Sequence, residues 1–147
     1  MVVYYIDGDL FGAPSDYSLA HCIAVDARMA GGIAIPFKQK FKQQSKILSY
    51  LEKVDESKQI GSVVPLKYKS IYIYNLITKQ YSSGKPKLAD LKKSLKHMKM
   101  HMIENNITKV AMPKIGAGID RLNWNDVIII ICDLFQDKKF KILIYCL

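Results

Sequence analysis

The sequence predicts an α/β domain in which helices cover a mixed sheet. Short apolar or β-branched segments alternate along the chain with longer segments of helical periodicity, and loops rich in Gly, Asp and Pro separate them. The chain has 147 residues, of which 50% are hydrophobic, which is enough apolar material for one core. We therefore expect a single domain over residues 1–147.

The N-terminal third of the chain supplies two predicted strands and one helical region. Residues 2–6 (VVYYI) and 18–25 (SLAHCIAV) are apolar runs on either side of a loop rich in Gly, Asp and Pro, a pattern that predicts two strands. Residues 28–53 are expected to be helical with a break near Ser45, because apolar side chains recur at helical spacing, namely Ile33, Phe37 and Phe41.

The middle of the chain predicts two strands and the clearest helix. Residues 61–68 and 70–77 are rich in β-branched and aromatic side chains, which favours strands. A helix follows Pro86, since Pro is frequent at helix starts and one apolar stripe runs along the segment with lysines on the other faces. The stripe is interpreted as core, and its members are Leu88, Leu91, Leu95, Met98 and Met102.

The C-terminal part adds a strand, a helix and a last strand. Residues 109–113 (KVAMP) predict a short buried strand, and residues 140–147 (FKILIYCL) predict a terminal one. The segment 123–137 is predicted to be helical despite its isoleucines, because about fifteen residues exceed an ordinary strand. Asn123 or Asn125 would cap this helix.

Composition narrows the class of protein. The longest apolar run, residues 127–135, contains Asp133 and is shorter than the roughly 20 residues that span a bilayer. No signal-peptide pattern is visible, so we expect an intracellular protein, cytoplasmic or nuclear, without membrane contact and monomeric by default.

The three cysteines, Cys22, Cys132 and Cys146, are odd in number and widely spaced, which indicates buried free thiols rather than disulfides or a metal site. Neither metal nor cofactor is expected.

The net charge of +9 leaves two interpretations open. A basic surface attracts polyanions such as nucleic acid, phospholipid or a diphosphate ligand. The lysines, however, are spread over several segments, which is typical of solvated helix faces.

Four loops follow predicted strands at the edge where α/β sheets bind ligands. The loop after residue 6 (DGDLF) offers the carboxylate of Asp9 beside free backbone N–H groups. The loops after residues 25 and 113 each carry closely spaced glycines, Gly31 with Gly32 and Gly116 with Gly118, which would let main-chain N–H groups approach an anion. Two such loops facing one another would hold a diphosphate, although each pattern alone is common in ordinary turns.

The fourth loop contributes a candidate nucleophile. Lys79 comes just past the predicted strand end. A lysine there is usually a solvated surface residue, but partial desolvation near other cations favours the free amine, which can attack the anomeric carbon of a sugar. Asp120 would serve as general acid or base across the same cleft.

Four segments in this order resemble the macrodomain family, and within it the branch of terminal ADP-ribose protein glycohydrolases, also described as O-acetyl-ADP-ribose deacetylases. The segments are GDLF, SLAHCIAVDARMAGGIA, YNLITKQ and MPKIGAGIDRLNW, and the similarity extends over essentially the whole chain. The resemblance implies a three-layer α/β/α fold with about six strands. It also implies an enzyme that binds ADP-ribose and hydrolyses the ester joining its distal ribose to Glu or Asp of a modified protein.

The resemblance also implies roles for individual residues. Lys79 falls on the catalytic lysine, which attacks C1 of the distal ribose, and Asp120 falls on the catalytic aspartate. Asp9 would hold the adenine amino group with Leu10 beside it, and Tyr145 would pack on adenine. The two glycine-rich loops would bind the diphosphate and distal ribose, through Gly31, Gly32, Ile33, Gly116, Ala117, Gly118 and Ile119.

Two positions depart from the family pattern. Ala24 stands where the family often has Ser, and Ala30 stands where its first glycine-rich loop often has Gly. The first departure removes a polar contact to the distal ribose, so affinity or ester preference would differ. Two other functions stay open at this point: a reader that binds ADP-ribose without turnover, and a processor of ADP-ribosylated nucleic acid, which the basic charge would favour.

Overall fold

The computed structural model describes residues 2–147, and Met1 lies outside this range. One six-stranded sheet forms the centre of the molecule. Its strands are β1 (Val2–Asp7), β2 (Ser18–Ala24), β3 (Val63–Tyr68), β4 (Ile71–Lys79), β5 (Lys109–Pro113) and β6 (Lys141–Cys146).

Five α-helices within the described residues accompany the sheet: α1 (Ala34–Phe41), α2 (Gln44–Glu52), α3 (Glu56–Gln59), α4 (Leu88–Glu104) and α5 (Trp124–Leu134). A 3-10 turn at Leu10–Gly12 follows β1. Neither this turn nor α3 was predicted from the sequence. Asn123 caps α5 as predicted, because its side-chain oxygen accepts the N–H of Asn125 at 2.8 Å.

The strand order is β1-β6-β5-β2-β4-β3, and the sheet is mixed as predicted. Only the hairpin between β3 and β4 is antiparallel, whereas every other neighbouring pair is parallel. Five strands therefore end at one edge of the sheet. The loops after β1, β2, β4 and β5, which the sequence singled out, all emerge at that edge.

Helices cover both faces, so the domain has the predicted three layers. On one face α1 and α2 pack through Phe37 and Ile47. On the other, α4 and α5 contact each other and the sheet. The predicted stripe of α4 is core: Leu91, Leu95, Met98 and Met102 are fully buried, and Leu88 is partly buried. Burying these side chains is the main source of stability for this face.

The region 28–53 differs from its prediction. The helical break lies at Lys42 and Gln43 instead of Ser45, because Lys42 adopts a left-handed conformation (φ 55°) that ends α1. Residues 28–33 are not helical, since Met29 and Gly32 also have positive φ. This irregular stretch matters for the site, because it leaves main-chain groups unused by a helix.

Several further expectations concern single features. Within residues 2–147, no helix combines the length and hydrophobicity needed to cross a bilayer. The same residues contain no cluster of three or more His, Cys, Asp or Glu side chains that could hold a metal ion. Cys22, Cys132 and Cys146 are free thiols as predicted, but they are half-buried instead of fully buried.

Candidate active site

A cavity of about 290 Å³ opens at the carboxyl edge of the sheet. Its floor comes from the end of β2, and its walls come from the loop after β2 and the loop after β5. This volume is near the lower limit for small-molecule sites. Most lining residues belong to these segments: Cys22, Ile23, Ala24, Met29, Ala30, Gly31, Gly32, Ile33, Ala34, Lys79, Ser82, Pro113, Lys114, Ile115, Gly116, Gly118, Ile119 and Asp120.

Lys79 and Asp120 form an ion pair inside this cavity. The Nζ of Lys79 lies 2.7 Å from Oδ1 of Asp120, and the two side chains are only 10% and 13% exposed. Nζ also donates to the carbonyl oxygens of Ser82 at 2.9 Å and Gly84 at 3.0 Å. An ammonium group has three N–H donors, so these contacts use all of them. The three acceptors thus match the three N–H donors of the lysine side chain.

Lys79 is the last residue of β4 instead of a loop residue, which corrects its predicted place. Its carbonyl accepts the N–H of Val25 at 2.9 Å, so hydrogen bonding between β2 and β4 continues to this point. The strand fixes the Cα position of the lysine. The position of its Nζ can therefore change only through rotation about the side-chain bonds.

The loop after β5 brings Asp120 to the lysine. Gly116 has a φ of 74°, a conformation that favours glycine, and its carbonyl accepts the N–H of Leu122 at 2.7 Å. A second turn closes between Gly118 and Arg121 at 3.1 Å. These turns fold the loop back toward the end of β4, although Asp120 and Lys79 are 41 residues apart.

The two glycine-rich loops meet across the cavity, as predicted. A Cβ added to either Gly31 or Gly32 would lie 3.0 Å from Cδ1 of Ile119. The side chain of Ile119 is nevertheless 64% exposed, so it lies at the mouth of the cavity. Small residues on both sides leave backbone N–H groups accessible to a ligand, the arrangement that suits an anion.

Sequence reasoning missed Cys22 and Ser82 as members of the site. Burial and then the negative charge of Asp120 raise the pKa of the Cys22 thiol, so it stays protonated at neutral pH. Cys22 is therefore a poor nucleophile, and Lys79 is the stronger candidate. The alternation of β2 could have indicated Cys22, whereas nothing in the sequence distinguishes Ser82 from its neighbour Ser83.

Comparison with known proteins identifies the family. A family model described as Macro domain matches residues 22–131, which is most of the chain. The chain belongs to the macrodomain family. It is 43% identical over 145 residues to the human protein named ADP-ribose glycohydrolase OARD1, a match that covers 99% of this chain and 91% of that protein.

Two further relatives come from Thermus aquaticus. A protein named DNA ADP-ribosyl glycohydrolase is 26% identical over 129 residues, covering 84% of this macrodomain and 35% of that protein. The solved structure titled macrodomain of Thermus aquaticus DarG superposes with a TM-score of 0.87 at 22% identity, covering 99% of both chains. At this identity the structural match shows the fold alone.

The predicted adenine side of this macrodomain lies outside the described cavity. Asp9 is exposed, and its Oδ1 accepts the N–H of Phe11 at 2.9 Å, so it caps the 3-10 turn. Leu10 and Tyr145 are 2% and 9% exposed and belong to one core cluster. Ala117 is half-buried and does not line the cavity. Contacts of these four residues with a ligand stay predictions.

Two aromatic residues have structural roles. His21 is fully buried: it stacks on Phe37 at 3.7 Å between ring centroids, and its Nε2 lies 2.7 Å from Oδ1 of Asn75. His21 is therefore a core residue. Trp124 begins α5, and its Nε1 donates to the hydroxyl of Tyr5 at 3.1 Å.

Proposed function

We propose that this macrodomain binds ADP-ribose and hydrolyses the ester between its distal ribose and a Glu or Asp of a modified protein. Lys79 is the nucleophile, and Asp120 is its acid and base partner. O-acetyl-ADP-ribose, which carries an ester on the same sugar, is a second proposed substrate. The observation that carries this proposal is the 2.7 Å contact between Lys79 and Asp120 inside a cavity walled by two glycine-rich loops.

Binding and chemistry use different parts of the cavity in this proposal. The backbone N–H groups around Gly31, Gly32 and Gly118 hold the diphosphate and distal ribose. Lys114 also lines the cavity and adds an exposed cation. The name of the human relative, ADP-ribose glycohydrolase, supports ADP-ribose as the ligand class. Asp9, Leu10 and Tyr145 would hold the adenine end beyond the described cavity.

The reaction starts with proton transfer within the ion pair. One ammonium proton of Lys79 moves to Asp120, which leaves a neutral amine with a lone pair. The amine forms a bond to C1 of the distal ribose while the bond from C1 to the ester oxygen breaks, and the electron pair leaves with the carboxylate of the modified protein. Asp120 passes its proton to the leaving carboxylate and becomes an anion again. Water then adds to C1 with Asp120 as base, the C1–N bond breaks, and the proton that Asp120 took from water moves to the Lys79 amine.

Replacing Lys79 tests the proposal. We expect Lys79→Ala to lose turnover while ADP-ribose affinity stays within about tenfold, because the nucleophile is separate from the backbone cradle. Release of ADP-ribose from a Glu-modified protein measures turnover, and calorimetry measures affinity. Lys92→Ala is the matched control, since this lysine is exposed on α4. Full activity of Lys79→Ala would remove the lysine from the mechanism.

The same experiment separates the enzyme from a reader. A reader needs the cradle alone, so wild-type protein that binds ADP-ribose without releasing it from any ester would contradict the proposed hydrolysis. The ion pair argues for the enzyme, because binding a diphosphate through backbone N–H groups requires neither Lys79 nor Asp120.

Modified nucleic acid is a second candidate substrate. The net charge of +9 favours it, as does the likeness to a protein named DNA ADP-ribosyl glycohydrolase. If it is used, turnover falls by orders of magnitude between about 50 and 200 mM salt, because lysine contacts with phosphates release counterions. Turnover of O-acetyl-ADP-ribose in the same buffers is the control. An equal and weak response of both substrates would argue against nucleic acid.

A further inference from the structure

The carboxylate of Asp26 ties the loop after β2 to the loop after β4. Its Oδ2 accepts the backbone N–H of Ser82 at 2.9 Å, and its Oδ1 accepts the hydroxyl of Ser82 at 2.6 Å. The same Oδ1 accepts the N–H of Arg28 at 3.2 Å. Two bonds from one residue to one carboxylate leave that residue little freedom to rotate or shift.

Ser82 connects this carboxylate to the candidate nucleophile. Its N–H and hydroxyl face Asp26, while its carbonyl oxygen accepts a bond from Nζ of Lys79 at 2.9 Å. The carbonyl of Gly84, two residues on, accepts a second bond from the same Nζ. A continuous series of contacts therefore runs from Asp26 through Ser82 and Lys79 to Asp120.

The segment 81–84 has little other support. Tyr81, Ser83 and Gly84 are exposed, and the turn from the N–H of Gly84 to the carbonyl of Tyr81 is internal to the segment. Within residues 2–147, the side-chain hydrogen bonds that join this segment to other parts of the chain involve Asp26 and Lys79. The place of the two carbonyl groups thus depends on Asp26.

Asp26 is suited to this role because it remains charged. Burial by itself would raise the pKa of its carboxyl group, but the hydrogen bonds from Ser82 and Arg28 outweigh burial and hold that pKa below the usual range. At neutral pH the group is an anion that accepts all three bonds.

We propose that Asp26 and Ser82 are positioning residues that hold the Lys79 ammonium at the reacting end of the cavity. They act on Lys79 through the carbonyl groups of Ser82 and Gly84 and take no part in the chemistry themselves, although Ser82 lines the cavity. Because Asp26 lies near the start of the loop that carries Gly31 and Gly32, its bonds to Ser82 also link the anion cradle to the nucleophile. This inference rests on the proposed function for its effect on turnover, but its effect on Lys79 itself can be measured without any substrate.

The first test compares kinetic constants of Ser82 variants. Ser82→Ala removes the hydroxyl and keeps the N–H. We expect kcat to fall about tenfold with KM nearly unchanged, since the lost charge-assisted hydrogen bond joins Ser82 to Asp26 and the backbone cradle is unaltered. Ser82→Thr restores a hydroxyl and recovers most of kcat. Ser83→Ala is the matched control, because this neighbouring serine is exposed.

The second test measures how Lys79 reacts with a small reagent in the absence of substrate. Trace acetic anhydride acetylates free amines, and mass spectrometry compares Lys79 with the exposed Lys92 in the same sample. In the wild type, three hydrogen bonds slow acetylation of Lys79. Ser82→Ala and Asp26→Asn weaken the support of the carbonyl groups of residues 82 and 84, which are two of the three acceptors. Acetylation of Lys79 relative to Lys92 therefore rises several-fold. Ser83→Ala leaves the ratio unchanged.

The two readouts separate this inference from the proposed function. A higher acetylation ratio together with a lower kcat supports both. A higher ratio in protein whose wild type hydrolyses no ester keeps the positioning of Lys79 and removes the proposed hydrolysis. An unchanged ratio in both Ser82→Ala and Asp26→Asn overturns the inference whatever happens to kcat, and so does a higher ratio with wild-type kcat in an active enzyme.

Discussion

Replacing Gly118 by valine tests whether a ligand contacts the loop after β5, without disturbing the fold. A Cβ at this position would meet no heavy atom within 4 Å, and its φ lies outside the range that favours glycine. The backbone therefore accepts a side chain. Gly118 nevertheless lines the cavity, so the added atoms compete for space with any ligand held by the loop after β5.

The size of the effect follows from these two facts. With no clash, the free energy of unfolding should change by about 0.5 kcal/mol or less, or rise slightly because the unfolded chain loses freedom. Overpacking in a filled site typically costs about 1–3 kcal/mol. Since each 1.4 kcal/mol is about tenfold in affinity, Kd for ADP-ribose should rise roughly 5- to 150-fold.

Calorimetry with ADP-ribose and thermal unfolding are measured on the same preparation of Gly118→Val. We expect weaker binding with an unchanged Tm. An unchanged Kd in a protein with wild-type Tm would show that the ligand does not approach this loop, and it would remove the cradle from the account. A reduced Tm would instead contradict the conformational reasoning for this glycine.

The remaining predictions concern stability. Gly116→Val should lower the free energy of unfolding by about 1–3 kcal/mol, because the φ of Gly116 is positive and a Cβ would lie 3.0 Å from Cδ1 of Leu122. Denaturant unfolding measures this change, and a variant as stable as the wild type would contradict it. Burial lowers the pKa of His21 to about 4 from an ordinary 6.5. As pH drops through this window, the unfolded chain therefore binds a proton before the folded chain does. The free energy of unfolding should then fall by roughly 3 kcal/mol in total. In His21→Gln this acid-induced loss should shrink, and an unchanged pH dependence of unfolding would exclude the histidine as its cause.

Much of the fold was predictable because the local patterns agree with tertiary packing. The α4 stripe is continuous and amphipathic, and all its members contribute to the core. The break in the region 28–53 was misplaced, because Lys42 and Met29 adopt positive φ and neither residue type signals such a conformation. Tertiary contacts, which the sequence does not display, select these conformations.

The site was predictable where one residue type marks it. The glycines in the loops after β2 and β5 predicted the two walls of the cavity. Gly31, Gly32, Gly116 and Gly118 all line it. The strand-end loops suggested that Lys79 and Asp120 face one cleft, and the family resemblance gave both residues their roles. Spacing along the chain alone does not reveal a pair 41 residues apart. Ser82 could not be found, since its role depends on a carboxylate 56 residues away.

Trapping a covalent adduct on lysine tests nucleophilic attack by Lys79 most directly. The protein is incubated with ADP-ribose, reduced or acid-quenched, digested and analysed by mass spectrometry, with Lys79→Ala treated in parallel. We expect an ADP-ribose adduct on the peptide that contains Lys79 and none in the variant. An adduct confined to another lysine, such as Lys114, or active wild-type protein that never carries an adduct, would contradict nucleophilic attack by Lys79.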